Sequence, residues 1–104
     1  MRIGIDIDGT LTNETIGWDY SKRTPRQDVI DKVNQHYDQG DFITLFSSRF
    51  QSDRKVTVAW LRKHGVKYNR LILGKPKFDW YIDDINSSPT EFITYYVKKA
   101  KVSK

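Results

Sequence analysis

Four short apolar runs limit what this chain can fold into. They are RIGIDID at 2–8, FITLF at 42–46, RLILG at 70–74 and WYIDD at 80–84. Each is too short for a helix, rich in β-branched or aromatic residues, and bounded by polar residues or glycine, as buried strands are. Helical spacing fills the gaps between the first three. In TPRQDVIDKVNQHYDQG, Thr24 suits an N-cap, Pro25 the first helical position, and Gln27 completes a capping box. Val29, Ile30, Val33 and Tyr37 then recur at helical spacing, and Gly40 is placed to end the helix. A second helix is expected from near Ser52 through Val56, Ala59, Trp60 and Lys63 to Gly65, and a third from Ser88 and Pro89. Strands alternating with helices predict an α/β fold with right-handed crossovers and a parallel sheet, covered on both faces.

In such a sheet ligands bind beyond the carboxyl ends of the strands. The polar endings are Asp6 and Asp8, Ser47 and Ser48, Gly74 and Lys75, and Asp83 and Asp84. All are expected at one crevice. Alternation along a strand points Asp6 and Asp8 to the same face. Four acids in one crevice repel, at about 4 kcal/mol for each pair ~4 Å apart at an effective dielectric near 20. A cation among them relieves this, and hard oxygen ligands suit Mg²⁺. Ser47 offers a hydroxyl, Lys75 a compact positive charge, and Gly9 backbone amides exposed for an oxyanion. Together these are the parts of a phosphoryl-transfer site.

Length and charge narrow the rest. With 104 residues the chain suits one domain. The net charge is +5, and four lysines, Lys98, Lys99, Lys101 and Lys104, lie in the tail at 98–104. The tail reads as a solvated, basic C-terminus beyond a domain at 1–97, with binding of nucleic acid or another polyanion the weaker reading. There is no cysteine and no apolar run of the ~20 residues that a membrane span needs. Met1 leads straight into a strand pattern, so no signal peptide is expected and a cytoplasmic setting is the default.

The motifs also carry a resemblance. DIDGT is similar to the DxDGT signature of the haloacid-dehalogenase-like phosphohydrolases, and FSSR, GKP and YIDD follow in that family's order, over residues 2–93. Within the superfamily, WLRKHGVKYNRLILGKPKFDWYIDDINSSPTEF most resembles the small capsule-biosynthesis phosphatases. The resemblance implies a three-layer α/β/α, Rossmann-like core and Mg²⁺-dependent hydrolysis of a phosphomonoester, foremost a sugar phosphate. It makes Asp6 the nucleophile that forms an aspartyl-phosphate and Asp8 the general acid and base. Ser47, with Ser48, Gly9 and Thr10 beside it, binds the phosphoryl group, and Lys75 neutralises charge, with Lys77 its alternative. Asp6, Asp8 and Asp84 hold the metal, with Asp83 in support or in exchange with Asp84.

No cap domain is visible, and residues 9–24 are enough for a flap only. An open site of this kind takes a bulky substrate or borrows a lid from a second copy of the chain. Trp18 and Tyr20 either stack on a sugar or base or pack the flap on the body. Arg49 is expected in a surface ion pair, with contact to a substrate anion the alternative. His36 and His64 are expected at dipole-stabilised or solvent-facing positions, and Trp60, Phe42 and Phe46 in the core. Two other functions compete with the sugar-phosphate phosphatase. One is a nucleotidase or nucleic-acid end phosphatase, and the other is a non-catalytic phosphate-binding module.

Overall fold

A computed structural model describes residues 1–17, 19–76, 78, 82 and 87–94. Strand β1 (Arg2–Asp6) leads through a wide turn and a flap to helix α1 (Gln27–Asp38). Strand β2 (Phe42–Ser47), helix α2 (Arg54–Lys63) and strand β3 (Arg70–Leu73) follow, and helix α3 is Pro89–Thr94. The sheet is parallel, in the order β1-β2-β3. The expected α/β fold with a parallel sheet and flanking helices is therefore present. The expected fourth strand at 80–84 and the tail at 98–104 lie outside the described residues. No helix among the described residues is long and apolar enough to cross a membrane.

Strand pairing fixes where chemistry can occur. Asp6 is in register with Phe46, and Ser47 with Leu73, so the three strands end together at one edge. Alternate residues of these strands, Ile5, Ile43, Leu45 and Leu73, are buried. Ile5, Ile43 and Leu45 share one core cluster with Val29, Ile30 and Val33 of α1 and Trp60 and Leu61 of α2. Each such side chain stabilises the fold by about 1.5–3 kcal/mol, enough to pin the register. The other face of the sheet is partly exposed, and Thr44 and Phe46, the latter expected in the core, are half-buried there. Phe42 is 44% exposed and Ile72 38% exposed. Phe42 is thus not in the core, and the expected cover on that face is not seen among the described residues.

Two element boundaries differ from expectation. Strand β1 ends at Asp6, because Ile7–Leu11 forms a wide turn closed by Thr12 N–H donating to the Ile7 carbonyl at 3.2 Å. Gly9 makes the turn possible at φ +81°, and a Cβ there would lie 2.6 Å from Thr15. Helix α1 starts at Gln27, with Arg26 in the N-cap position. Thr24 and Pro25 belong instead to the neck of the flap, where Thr12 and Pro25 form an antiparallel bridge. The Thr24 hydroxyl accepts from Asn13 Nδ2 at 2.9 Å and donates to Glu14 at 2.6 Å, so it is engaged within the neck and does not cap the helix. At α3 the Ser-Pro signature behaves as expected: Ser88 Oγ accepts from Glu91 N–H at 3.1 Å, and Ser88 N–H donates to Glu91 Oε1 at 3.1 Å.

His36 is placed differently from expectation, whereas His64 sits at the C-cap of α2. His36 is 1% exposed, with Nδ1 2.7 Å from Asp41 Oδ2 and its ring stacked on Phe92 of α3 at 5.5 Å. It takes the inward position that the spacing assigned to Tyr37, which is exposed. His64 packs at 4.4 Å from the Trp60 ring, and burial followed by the Lys63 charge lowers its pKa.

Candidate functional site

Asp6, Asp8, Ser47, Arg49 and Lys75 meet where the strands end. Asp6 is half-buried and its Oδ1 accepts from Ile7 N–H at 3.0 Å. Burial raises its pKa above the usual carboxylate range, and the Lys75 charge is the largest opposing influence. The Asp8 charge adds to the rise and the Arg49 charge opposes it, so all four groups share one field. Lys75 is held by its backbone, whose N–H donates to the Ser47 carbonyl at 2.9 Å. Its Nζ lies 4.2 Å from the centre of the Phe46 ring, on the strand beside Asp6.

Asp8 stands in the turn after β1, so strand alternation does not orient it. Its carboxylate is engaged on both oxygens. Arg49 donates from Nε to Oδ2 at 3.1 Å and from Nη2 to Oδ1 at 2.7 Å, a two-point contact. Ser47 Oγ donates to Oδ2 at 3.3 Å, and Arg23 Nε lies 3.4 Å from Oδ1. Arg49 is 3% exposed, so its ion pair is buried and the surface pair expected for it is corrected. A buried guanidinium needs a partner of this kind, because leaving either charge alone costs about 3–5 kcal/mol.

The remaining predicted residues are placed unevenly. Ser47 is buried, its Oγ also accepting from Arg49 N–H at 3.1 Å, whereas Ser48 is exposed. Gly9 N–H donates to Thr12 Oγ1 at 3.0 Å, so this amide is not open to an oxyanion as expected. Thr10 is half-buried in the same turn. Asp83, Asp84, Lys77 and Trp18 lie outside the described residues.

Arg23 and Thr57 escaped sequence reasoning, whereas Tyr20 takes the packing role that was one of its two expected readings. Arg23 is 7% exposed and ties the flap to Asp8. Its Nη1 donates to the Ile16 carbonyl, its Nη2 to the Gly17 carbonyl at 3.2 Å, and its own carbonyl accepts from Trp60 Nε1 at 2.9 Å. Tyr20 packs the flap on the body: the Arg49 guanidinium sits 3.9 Å from its ring centre and that of Arg23 5.2 Å. Thr57 of α2 accepts from Arg49 Nη1 at 2.9 Å. The one available signal was general: an arginine in a small chain with acids at its strand ends is a candidate for a buried pair.

Among the described residues two carboxylates, Asp6 and Asp8, face three cations, Arg23, Arg49 and Lys75. No group of three or more histidines, aspartates or glutamates that could hold a metal occurs among the described residues. The Asp6 carboxylate and the Asp8 carbonyl are hard oxygen donors, and a divalent cation beside Asp6 would offset the burial that raises its pKa.

No protein-family model matches the chain, and no curated protein matches it. Two solved structures are similar. An MCSG target from Vibrio cholerae aligns over 97% of this chain and 94% of its own, with TM-score 0.82 and 27% identity. A Pnkp1/Rnl/Hen1 complex aligns over 81% of this chain and 31% of its own, with TM-score 0.62 and 24% identity, a likeness of fold.

Proposed function

We propose that this chain is a Mg²⁺-dependent phosphatase of the haloacid-dehalogenase-like superfamily, acting on a phosphomonoester, foremost a sugar phosphate. One observation carries the reading. A half-buried carboxylate, Asp6, ends the first strand beside the cations Lys75 and Arg49, with the buried Ser47 on the next strand. A phosphate dianion is drawn to that charge balance, and a carboxylate at its centre is placed to attack it.

In this mechanism an Asp6 oxygen attacks phosphorus while the bond to the leaving oxygen breaks. Asp8, which takes up a proton from water before this step, gives that proton to the leaving oxygen. Water then attacks the phosphorus of the acyl phosphate and Asp8 takes the water's proton, which frees phosphate and restores the Asp6 carboxylate. Lys75 offsets the negative charge that Asp6 and the phosphoryl group share. Ser47 turns its hydroxyl to a phosphoryl oxygen. Its 3.3 Å bond to Asp8 is long for a hydroxyl donor, so little is lost in the exchange. Asp6, the Asp8 carbonyl and one of Asp83 and Asp84 would hold Mg²⁺, which supplies further charge neutralisation at the phosphoryl oxygens.

Release of nitrophenol from 4-nitrophenyl phosphate tests the reading. Turnover with Mg²⁺ that stops with chelator and returns on adding Mg²⁺ is expected. A wild-type protein with no turnover on this ester or on a panel of sugar phosphates and nucleotides would overturn it and leave a phosphate-binding module.

A further inference from the structure

Arg49 adds its charge to the field at Asp6, yet its hydrogen bonds all go to groups other than Asp6. Its guanidinium spends three donors on two partners, Nε and Nη2 on Asp8 and Nη1 on Thr57. Thr57 is itself fixed, its hydroxyl donating to the Asp53 carbonyl at 2.8 Å. The backbone at Arg49 is held as well: its carbonyl accepts from Gly74 N–H at 2.8 Å, beside Lys75. On the other side lies the flap. The Tyr20 ring covers the Arg49 guanidinium. Arg23 is more than nine-tenths buried, and its Nε makes no hydrogen bond although Asp8 Oδ1 is 3.4 Å away. A shift of a few tenths of an ångström would close that contact. Asp8 is therefore gripped by a rigid fork rooted in α2, and one further donor waits on the flap.

We propose that Arg49 is a positioning residue for Asp8, fixing the carboxyl group that protonates the leaving oxygen, and that Tyr20 and Arg23 latch the flap onto the same group. The inference rests on the phosphatase reading. The step it serves is the first one: the Asp6 oxygen bonds to phosphorus, the bond from phosphorus to the leaving oxygen breaks, and the Asp8 proton passes to that oxygen. An alkoxide leaving group needs this proton, whereas nitrophenolate leaves as a stabilised anion. A misplaced Asp8 thus harms alkyl phosphates far more than aryl phosphates. A role in folding or in binding the phosphoryl group would harm both alike.

The experiment compares kcat/KM for glycerol phosphate and 4-nitrophenyl phosphate, since that ratio reports the steps up to transfer of phosphorus to Asp6. Arg49→Gln removes the fork, Arg49→Lys keeps charge without the two-point contact, and Thr57→Val removes the anchor of Nη1, together with that hydroxyl's bond to the Asp53 carbonyl, at nearly constant shape. Thermal unfolding confirms that each variant is folded, and Thr57→Val carries the test if Arg49→Gln does not fold. For Arg49→Gln and Arg49→Lys we expect about a 100-fold loss on the alkyl ester and less than about tenfold on the aryl ester, in line with the worth of a well-placed general acid. Thr57→Val should show the same selectivity at roughly a few-fold on the alkyl ester, as loss of one supporting bond does. Equal losses on both esters, or none, would overturn the inference while leaving the phosphatase reading intact. Absence of turnover in wild type on both esters overturns the phosphatase reading and this inference with it.

Discussion

At the scale of single residues, the chain gathers charges that its composition does not reveal as partners. Asp41 shows the principle away from the site. Burial pushes its pKa up, but hydrogen bonds from Gln39, His36 and the Met1 ammonium outweigh this and lower it to about 2. Its folded value lies below its unfolded value, so the stabilisation is complete above pH about 4 and is lost as pH falls towards 2. The shift corresponds to about 2 kcal/mol. Asp41→Asn should lower stability by that order at pH 7 and flatten the acid limb between pH 4 and 2, as urea unfolding at several pH values would show. Asp6, Asp8, Ser47 and Lys75 were legible because motif residues at strand ends have one place to go in a parallel sheet. Arg23 was not, since YSKRT has no apolar period and solvation is the default for an arginine in such a stretch. His36 was hidden similarly: its burial depends on Asp41 and Phe92, which only the tertiary fold brings to it.

At the scale of elements, strands and helices were legible and their junctions were not. Apolar runs specify β2 and β3 almost to the residue. Thr24 and Pro25 match a helix start, yet the flap draws them into its neck through Glu14 and Thr12. Local capping competes there with a non-local bridge, and the bridge wins. The end of β1 was misplaced for a related reason: RIGIDID keeps a strand period through Asp8, but the turn closed by Thr12 begins two residues earlier. The flap depends on α2 through one buried hydrogen bond, from Trp60 Nε1 to the Arg23 carbonyl. Trp60→Phe keeps most of the ring volume and deletes that donor. We expect a loss of about 1–2 kcal/mol by urea unfolding, together with faster proteolysis within residues 12–24. Unchanged flap cleavage would mean that α2 does not anchor this segment.

For the whole molecule, the described strand ends gather Asp6, Asp8, Arg49 and Lys75 at one edge of the sheet, and the flap brings Arg23 against Asp8. The layout explains why the motif order matters: each polar group follows a strand whose register is fixed by the core beneath it. In the proposed mechanism Asp6 becomes phosphorylated in turnover. Borohydride reduces an acyl phosphate to an alcohol, so quenching a reaction mixture with it converts a phosphorylated aspartate to homoserine, which peptide mass spectrometry locates. With Mg²⁺ and 4-nitrophenyl phosphate, homoserine at position 6 is predicted, absent without substrate and absent in Asp6→Asn. Turnover with no reduced residue, or with the label at Asp8, would contradict the account.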